Sequence, residues 1–73
     1  MYKEIKKLDQ IQHFQLFCLE SYRNSEGITG MDALRDFKRA EVFRFLSSGY
    51  EVLHSMGKNY LTSLITDYIK RRK

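Results

Sequence analysis

The sequence has no tryptophan and no proline, and a single cysteine among its 73 residues. One cysteine rules out an internal disulfide bond, and because small secreted domains usually depend on several, we expect a reducing, cytoplasmic location. No apolar run approaches the roughly 20 residues that a membrane-spanning helix needs, and the charged N-terminus lacks a following signal-peptide segment. Without proline-rich, glycine-rich or repeated segments, we predict one domain over residues 1–73.

Excess charge of one sign is confined to the end of the chain. The net charge is +4, from 13 basic and nine acidic residues, and the last four residues, Lys70 to Lys73, are all basic. The nine other basic residues equal the acidic ones in number, so the body is balanced. The high pI is therefore a property of a basic C-terminal tail, residues 70–73, and gives only weak support for a nucleic-acid surface.

The segment from His13 to Tyr22 is the most apolar part of the chain. Its apolar residues recur at helical spacing and cover most of the helix circumference: Phe14, Leu16, Phe17, Cys18, Leu19 and Tyr22. A helix this apolar must be covered by other elements, so we expect the rest of the chain to pack around it. We expect Phe17 to be buried, and Phe17→Ala to leave the domain largely unfolded.

The remaining pattern predicts an all-α fold, a compact bundle of about four helices with no sheet. The first helix should end near Asn24, with Gly27 in a left-handed turn. Thr29 is the expected N-cap of a second helix that ends near Ala40. A third apolar segment runs from Val42 to His54; its Ser-Ser-Gly interruption at 47–49 allows one kinked helix, which we favour, or two short ones.

The last helix is predicted from Lys58 to Arg71. Its apolar residues form one stripe at i, i+1, i+4, i+5, i+8 and i+9: Tyr60, Leu61, Leu64, Ile65, Tyr68 and Ile69.

Few residues suggest catalysis or ligand binding. Tyr50, His54 and Tyr60 lie close in sequence and form a candidate interaction or structural site, with acid–base catalysis as the weaker alternative. We favour a structural His54 that donates to the backbone or to a neighbouring side chain and helps fix the bend into the last helix. Cys18 is expected to be a small buried hydrophobe. The chain has no paired cysteines or histidines at metal-ligand spacing, so we predict no catalytic residue, metal or cofactor.

Basic residues suggest a second interpretation. Arginines and a lysine between Arg35 and Arg44 form a basic flank, but acidic residues are interleaved with them, which is more typical of a solvated helix face. Lys70, Arg71, Arg72 and Lys73 could contact phosphates, or could form a solubilising, frayed end. Binding of nucleic acid therefore remains the alternative hypothesis.

Three motifs together resemble a known family. They are Phe-Cys-Leu-Glu-Ser-Tyr-Arg-Asn at 17–24, Ile-Thr-Gly at 28–30, and Tyr-Glu-Val-Leu-His-Ser-Met-Gly at 50–57 followed by Tyr60. The chain after Gln12 resembles a family of short bacterial proteins known as domain of unknown function 3791. The resemblance implies a small cytoplasmic protein whose relatives are encoded beside ADP-ribosyltransferase-like proteins in a toxin–antitoxin-like arrangement. Acidic residues common in the family's last helix are missing at Thr62, Ser63 and Leu64.

These observations favour a non-enzymatic, protein-interaction module. Its partner is expected to be another protein, in an antitoxin-like or accessory role toward an ADP-ribosyltransferase-like protein. No membrane is expected to be involved, and self-association remains open. The alternative is a small nucleic-acid-binding regulator that uses the basic tail and the Arg35–Arg44 flank.

Overall fold

The structure is a computed structural model that describes the backbone of residues 2–72 and the side chains of residues 9–72. Within that backbone range the chain forms five helices and no strand. The helices are α1 (Tyr2–Glu26), α2 (Gly30–Arg39), α3 (Val42–Ser48), α4 (Tyr50–Leu53) and α5 (Lys58–Arg71). The predicted all-α class is confirmed, and α5 has the predicted bounds. No helix of the described residues is long and apolar enough to cross a membrane.

The turn between α1 and α2 follows from glycine and threonine chemistry. Gly27 has φ +66°, and the amides of Gly27 and Ile28 both donate to the carbonyl of Arg23, at 2.9 and 3.3 Å. A residue with a Cβ is strained in this left-handed conformation, so glycine is favoured there. Thr29 Oγ1 then accepts a 3.1 Å hydrogen bond from the Asp32 amide and caps α2. Both predictions for this turn are confirmed.

The third apolar segment forms two helices, so the favoured single kinked helix was wrong. The chain breaks at Gly49, between α3 and α4. A Cβ at Gly49 would lie 2.9 Å from Cδ1 of Leu53, a core side chain that is 5% exposed. The missing side chain lets the backbone turn closely over Leu53, and α4 then runs for a single helical turn.

The core lies between α1 and the elements that follow it. Helix α1 packs against α2, α3 and α5, which confirms its central place. The largest fully buried side chains come from four of the five helices: Cys18, Phe37, Val42, Leu46 and Ile65. From α5, the residues Leu61, Ile65 and Ile69 are buried at four-residue spacing, as one face of an amphipathic helix.

Helix α1 is buried over a narrower sector than its composition predicts. Cys18, Ser21 and Tyr22 are buried, but Phe17 is 45% exposed and Leu16 is 56% exposed. The expectation of a buried Phe17 was therefore wrong. A 73-residue chain supplies too few elements to surround a helix on all sides, and part of the apolar surface of α1 faces outward.

Candidate functional site

A groove lies between the middle of α1 and the segment formed by α4 and the start of α5. It has a volume of about 490 Å³. We call it the His54 groove; it is lined by Gln10, His13, Phe14, Phe17, Tyr50, His54, Met56 and Leu61. Aromatic and apolar side chains dominate the lining, and none of the lining residues carries a carboxylate.

Three aromatic rings of the His54 groove are fixed relative to one another. Phe14 meets Tyr50 edge to face, with ring centroids 5.4 Å apart and planes at 78°. The His54 ring stacks on Tyr50, at 4.5 Å and 11°. His54 Nδ1 lies 2.7 Å from the carbonyl oxygen of Tyr50. Because a carbonyl oxygen only accepts, Nδ1 carries the proton in this bond. The ring is thus a second donor to a carbonyl that also accepts from the His54 amide, at 2.9 Å.

This geometry shows the predicted donation from His54 to the backbone, but the Tyr50 carbonyl is not an unpaired one, because the His54 amide donates to it as well. His54 is exposed, however, and not buried. With Nδ1 donating to the backbone, Nε2 is the ring nitrogen left to accept from another group. The arrangement is a mainly aromatic and apolar surface that also carries the polar side chains of Gln10, His13 and His54.

Tyr60 does not join this group. It is 62% exposed near the start of α5, whereas the next residue, Leu61, is 3% exposed and lines the groove. Successive helical residues point about 100° apart, so a core-facing Leu61 directs Tyr60 away. The candidate set of Tyr50, His54 and Tyr60 is corrected to Tyr50 and His54, joined by His13 and Phe17 from α1. The four-residue spacing of His13 and Phe17 was the signal available in the sequence.

A second depression lies between the α2–α3 turn and the end of α5. It has a volume of about 520 Å³. We call it the arginine cleft; it is lined by Arg39, Ala40, Glu41, Arg44, Phe45, Ser48, Tyr68, Arg71 and Arg72. Four guanidinium groups from three helical segments therefore surround one cleft, with an apolar and aromatic floor.

Each arginine of the cleft has a partner nearby in sequence. Arg39 pairs with Asp36 at 3.0 Å, Arg44 with Glu41 at 3.3 Å, and Arg71 with Asp67 at 3.3 Å. The Arg44 and Arg71 pairs are exposed on both sides, and such pairs contribute little to stability. In the Arg39 pair the Asp36 side chain is only 16% exposed.

Arg72 is held by an aromatic ring. Its Cζ lies 4.2 Å from the ring centroid of Tyr68, and Tyr68 stacks on Phe45 at 4.2 Å and 19°. Two groups that both cover a ring at this distance occupy opposite faces. Phe45, Tyr68 and Arg72 therefore form a three-layer column on one wall of the cleft.

The basic residues predicted as phosphate contacts do not lie together at one site. Arg71 and Arg72 line the arginine cleft, whereas Lys70 lines a separate polar groove between α1 and α5. Lys73 lies outside the described residues. Helix α5 extends through Arg71, and the solubilising, frayed end stays a prediction. Of the Arg35–Arg44 flank, Arg39 and Arg44 line the cleft and Arg35 does not.

Cys18 is 1% exposed, which confirms the expected buried residue. Burial raises the pKa of its thiol to about 12, because the thiolate would lose its solvation. A thiolate is the reactive form of cysteine, so this thiol is inert in the folded protein. Among the described residues, no group of three or more His, Cys, Asp or Glu side chains is placed to hold a metal ion.

Comparison with known proteins identifies the family. Neither a curated protein nor a solved structure matches the chain. The model of a family described as protein of unknown function (DUF3791) matches residues 13–72. That range includes both clefts apart from Gln10, together with every helix after α1. The chain therefore belongs to the DUF3791 family.

Proposed function

We propose that this protein is a non-enzymatic interaction module that binds another protein through the His54 groove. One observation carries the proposal: Phe17, an apolar side chain at the centre of α1 that lines the groove, is left 45% exposed. A domain of this size needs apolar burial for stability. Exposed apolar surface around a concavity is typical of a protein-binding site.

The groove's lining indicates what the partner should present. Phe14, Phe17 and Met56 supply an apolar floor, while His13 and His54 stand at the edge. Protein interfaces combine such an apolar centre with a polar rim. Because His54 Nδ1 already donates to the backbone, we infer an occupant that inserts one large apolar side chain and presents an N–H or O–H donor to Nε2 of His54.

The family resemblance suggests which partner to test first. An ADP-ribosyltransferase-like protein encoded beside this chain is the candidate, with this chain as its antitoxin-like or accessory subunit. The role is a binding role, since the groove offers a surface and one histidine whose Nδ1 is already bonded to the backbone.

The test is co-purification of the native protein, identification of the bound protein by mass spectrometry, and calorimetry with that protein and groove variants. Phe17→Ser should weaken binding about 30-fold, the size expected for truncating a residue at an interface centre. Met31→Ser is the matched control, because Met31 is 74% exposed on α2 and does not line the groove.

Circular dichroism should show both variants folded. Equal affinity of Phe17→Ser and the parent protein would overturn the assignment of the groove. Failure of any protein to co-purify in stoichiometric amounts would overturn the proposed function itself.

A further inference from the structure

We propose that the arginine cleft binds a nucleotide, either free or as a unit of single-stranded nucleic acid. The inference is independent of the proposed function, since it concerns a different cleft. It rests on the convergence of four arginines and a stacked aromatic column at one concavity of about 520 Å³. Small-ligand sites typically fall between about 300 and 1,000 Å³.

The arginines match a phosphate group. Arg39 and Arg44 come from the end of α2 and from α3, and Arg71 comes from the last turn of α5. Guanidinium groups bind phosphate oxygens through two parallel N–H bonds. Arg39 donates from Nη2 to Asp36, and Arg44 donates from Nη1 to Glu41. Each guanidinium has five N–H donors, so the others remain for a ligand.

The stacked column matches a base. Tyr68 is covered by Phe45 on one face and by the Arg72 guanidinium on the other. The Arg72 guanidinium, a planar cation 4.2 Å from the ring centroid, lies at the end of this column. Nucleobases stack on guanidinium planes as well as on aromatic rings. Phosphate donors and a stacking platform on one cleft are the two parts that a nucleotide requires.

Glu41 gives the cleft a built-in test. It is the one acidic residue among the lining residues, and it adopts a left-handed conformation, with φ 56° and ψ 42°. Its carboxylate pairs with Arg44 and would repel an anion. Removing that charge should tighten binding, whereas removing an arginine should weaken it.

The experiment measures binding of three probes to the full chain by fluorescence anisotropy and calorimetry: a labelled ten-residue oligothymidylate, ADP and inorganic phosphate. At about 50 mM salt we expect the oligonucleotide to bind with a Kd of about 10–100 μM, weakening as salt rises. If ADP binds with the same affinity per site as the oligonucleotide, the cleft is assigned to free nucleotides. Tighter oligonucleotide binding assigns it to single strands.

The variants locate the site. Arg44→Gln should weaken oligonucleotide binding about tenfold, the size of one charge-assisted hydrogen bond. Arg35→Gln is its matched control, because Arg35 forms the same kind of pair, with Asp32 at 3.3 Å, but lies outside the cleft. Glu41→Gln should tighten binding. Arg72→Lys keeps the charge and loses the flat face, so oligonucleotide binding should fall while phosphate binding is unchanged.

Two results would overturn the inference. One is the absence of binding by all three probes at millimolar concentration in folded protein. The other is equal loss in Arg35→Gln and Arg44→Gln, which would show diffuse attraction to a basic protein instead of a site. Neither result bears on protein binding in the His54 groove, so the two proposals fail separately.

Discussion

The Tyr22 hydroxyl donates a 2.7 Å hydrogen bond to Oδ2 of Asp36, and this bond joins α1 to α2. Tyr22 is 4% exposed, and its ring also packs against Phe37, with centroids 5.6 Å apart. The other carboxylate oxygen of Asp36 accepts from Arg39 at 3.0 Å. One carboxylate thus links the core to the rim of the arginine cleft.

Tyr22→Phe should lower the stability by about 1–2 kcal/mol, because Oδ2 of Asp36, whose side chain is only 16% exposed, loses its Tyr22 donor and Arg39 contacts the other oxygen. For a domain of this size the melting temperature should fall by about 5–10 °C. Tyr60→Phe is the matched control, since Tyr60 is 62% exposed; its melting temperature should equal that of the parent. A Tyr22→Phe protein that melts like the parent would show that the interhelical bond contributes nothing.

Cys18 should make the protein sensitive to alkaline pH. Its pKa is raised from 9.0 to about 12 in the folded state, chiefly by burial. The folded protein then holds a proton that the unfolded chain releases, so stability is full below about pH 9 and falls as pH rises toward 12. Burial, and then the bond to Asp36, also raise the pKa of Tyr22, which adds to the loss above its ordinary value of 10.

Urea titrations between pH 8 and 11 measure this effect. The pH dependence should be shallower in Cys18→Ala than in the parent, because one of the linked groups is gone. In the parent at pH 8, a thiol reagent should react with Cys18 only after the protein is unfolded in guanidinium. Rapid reaction of the folded protein would contradict the buried, protonated thiol.

Local chemistry in the sequence predicted the local structure well. Gly27 and Thr29 define the turn before α2 because their effects act within four residues. The apolar stripe of α5 likewise needs only helical periodicity. The break at Gly49 was harder to foresee, since it depends on the distance between the backbone and the Leu53 side chain.

Tertiary features were the part that the sequence did not reveal. The composition of α1 indicates burial of Phe14, Phe17 and Cys18 equally. Only the placement of the other helices determines which of them is buried. The arginine cleft unites α2 and α3 with the end of α5 across about 30 residues of sequence. No local sequence pattern indicates that these segments meet, so the Arg35–Arg44 flank and the basic tail were interpreted as separate features.

Phe17→Ala and Phe37→Ala should separate these two kinds of apolar residue. Phe37 is 0% exposed, and its truncation should cost about 3–5 kcal/mol. That approaches the total stability of a domain this small, so the variant should be largely unfolded at 37 °C. Phe17 is 45% exposed, so its truncation should cost about 1–2 kcal/mol and leave native helical circular dichroism. Unfolding of Phe17→Ala would restore the interpretation that the helix is buried on all sides.

His54→Ala tests whether this histidine is structural. The residue donates Nδ1–H to the Tyr50 carbonyl at 2.7 Å and stacks on the Tyr50 ring, but it is exposed. Water can replace an exposed hydrogen bond, so the loss should be below about 1 kcal/mol, less than for a buried group. His13→Ala is the matched control, because His13 is an exposed histidine on the same groove; it should melt like the parent.

Nitrogen-15 NMR should find the proton of neutral His54 on Nδ1. If His54→Ala instead melts like the parent and abolishes an activity or the binding of a small ligand, His54 belongs to a chemical site and the non-enzymatic proposal is wrong.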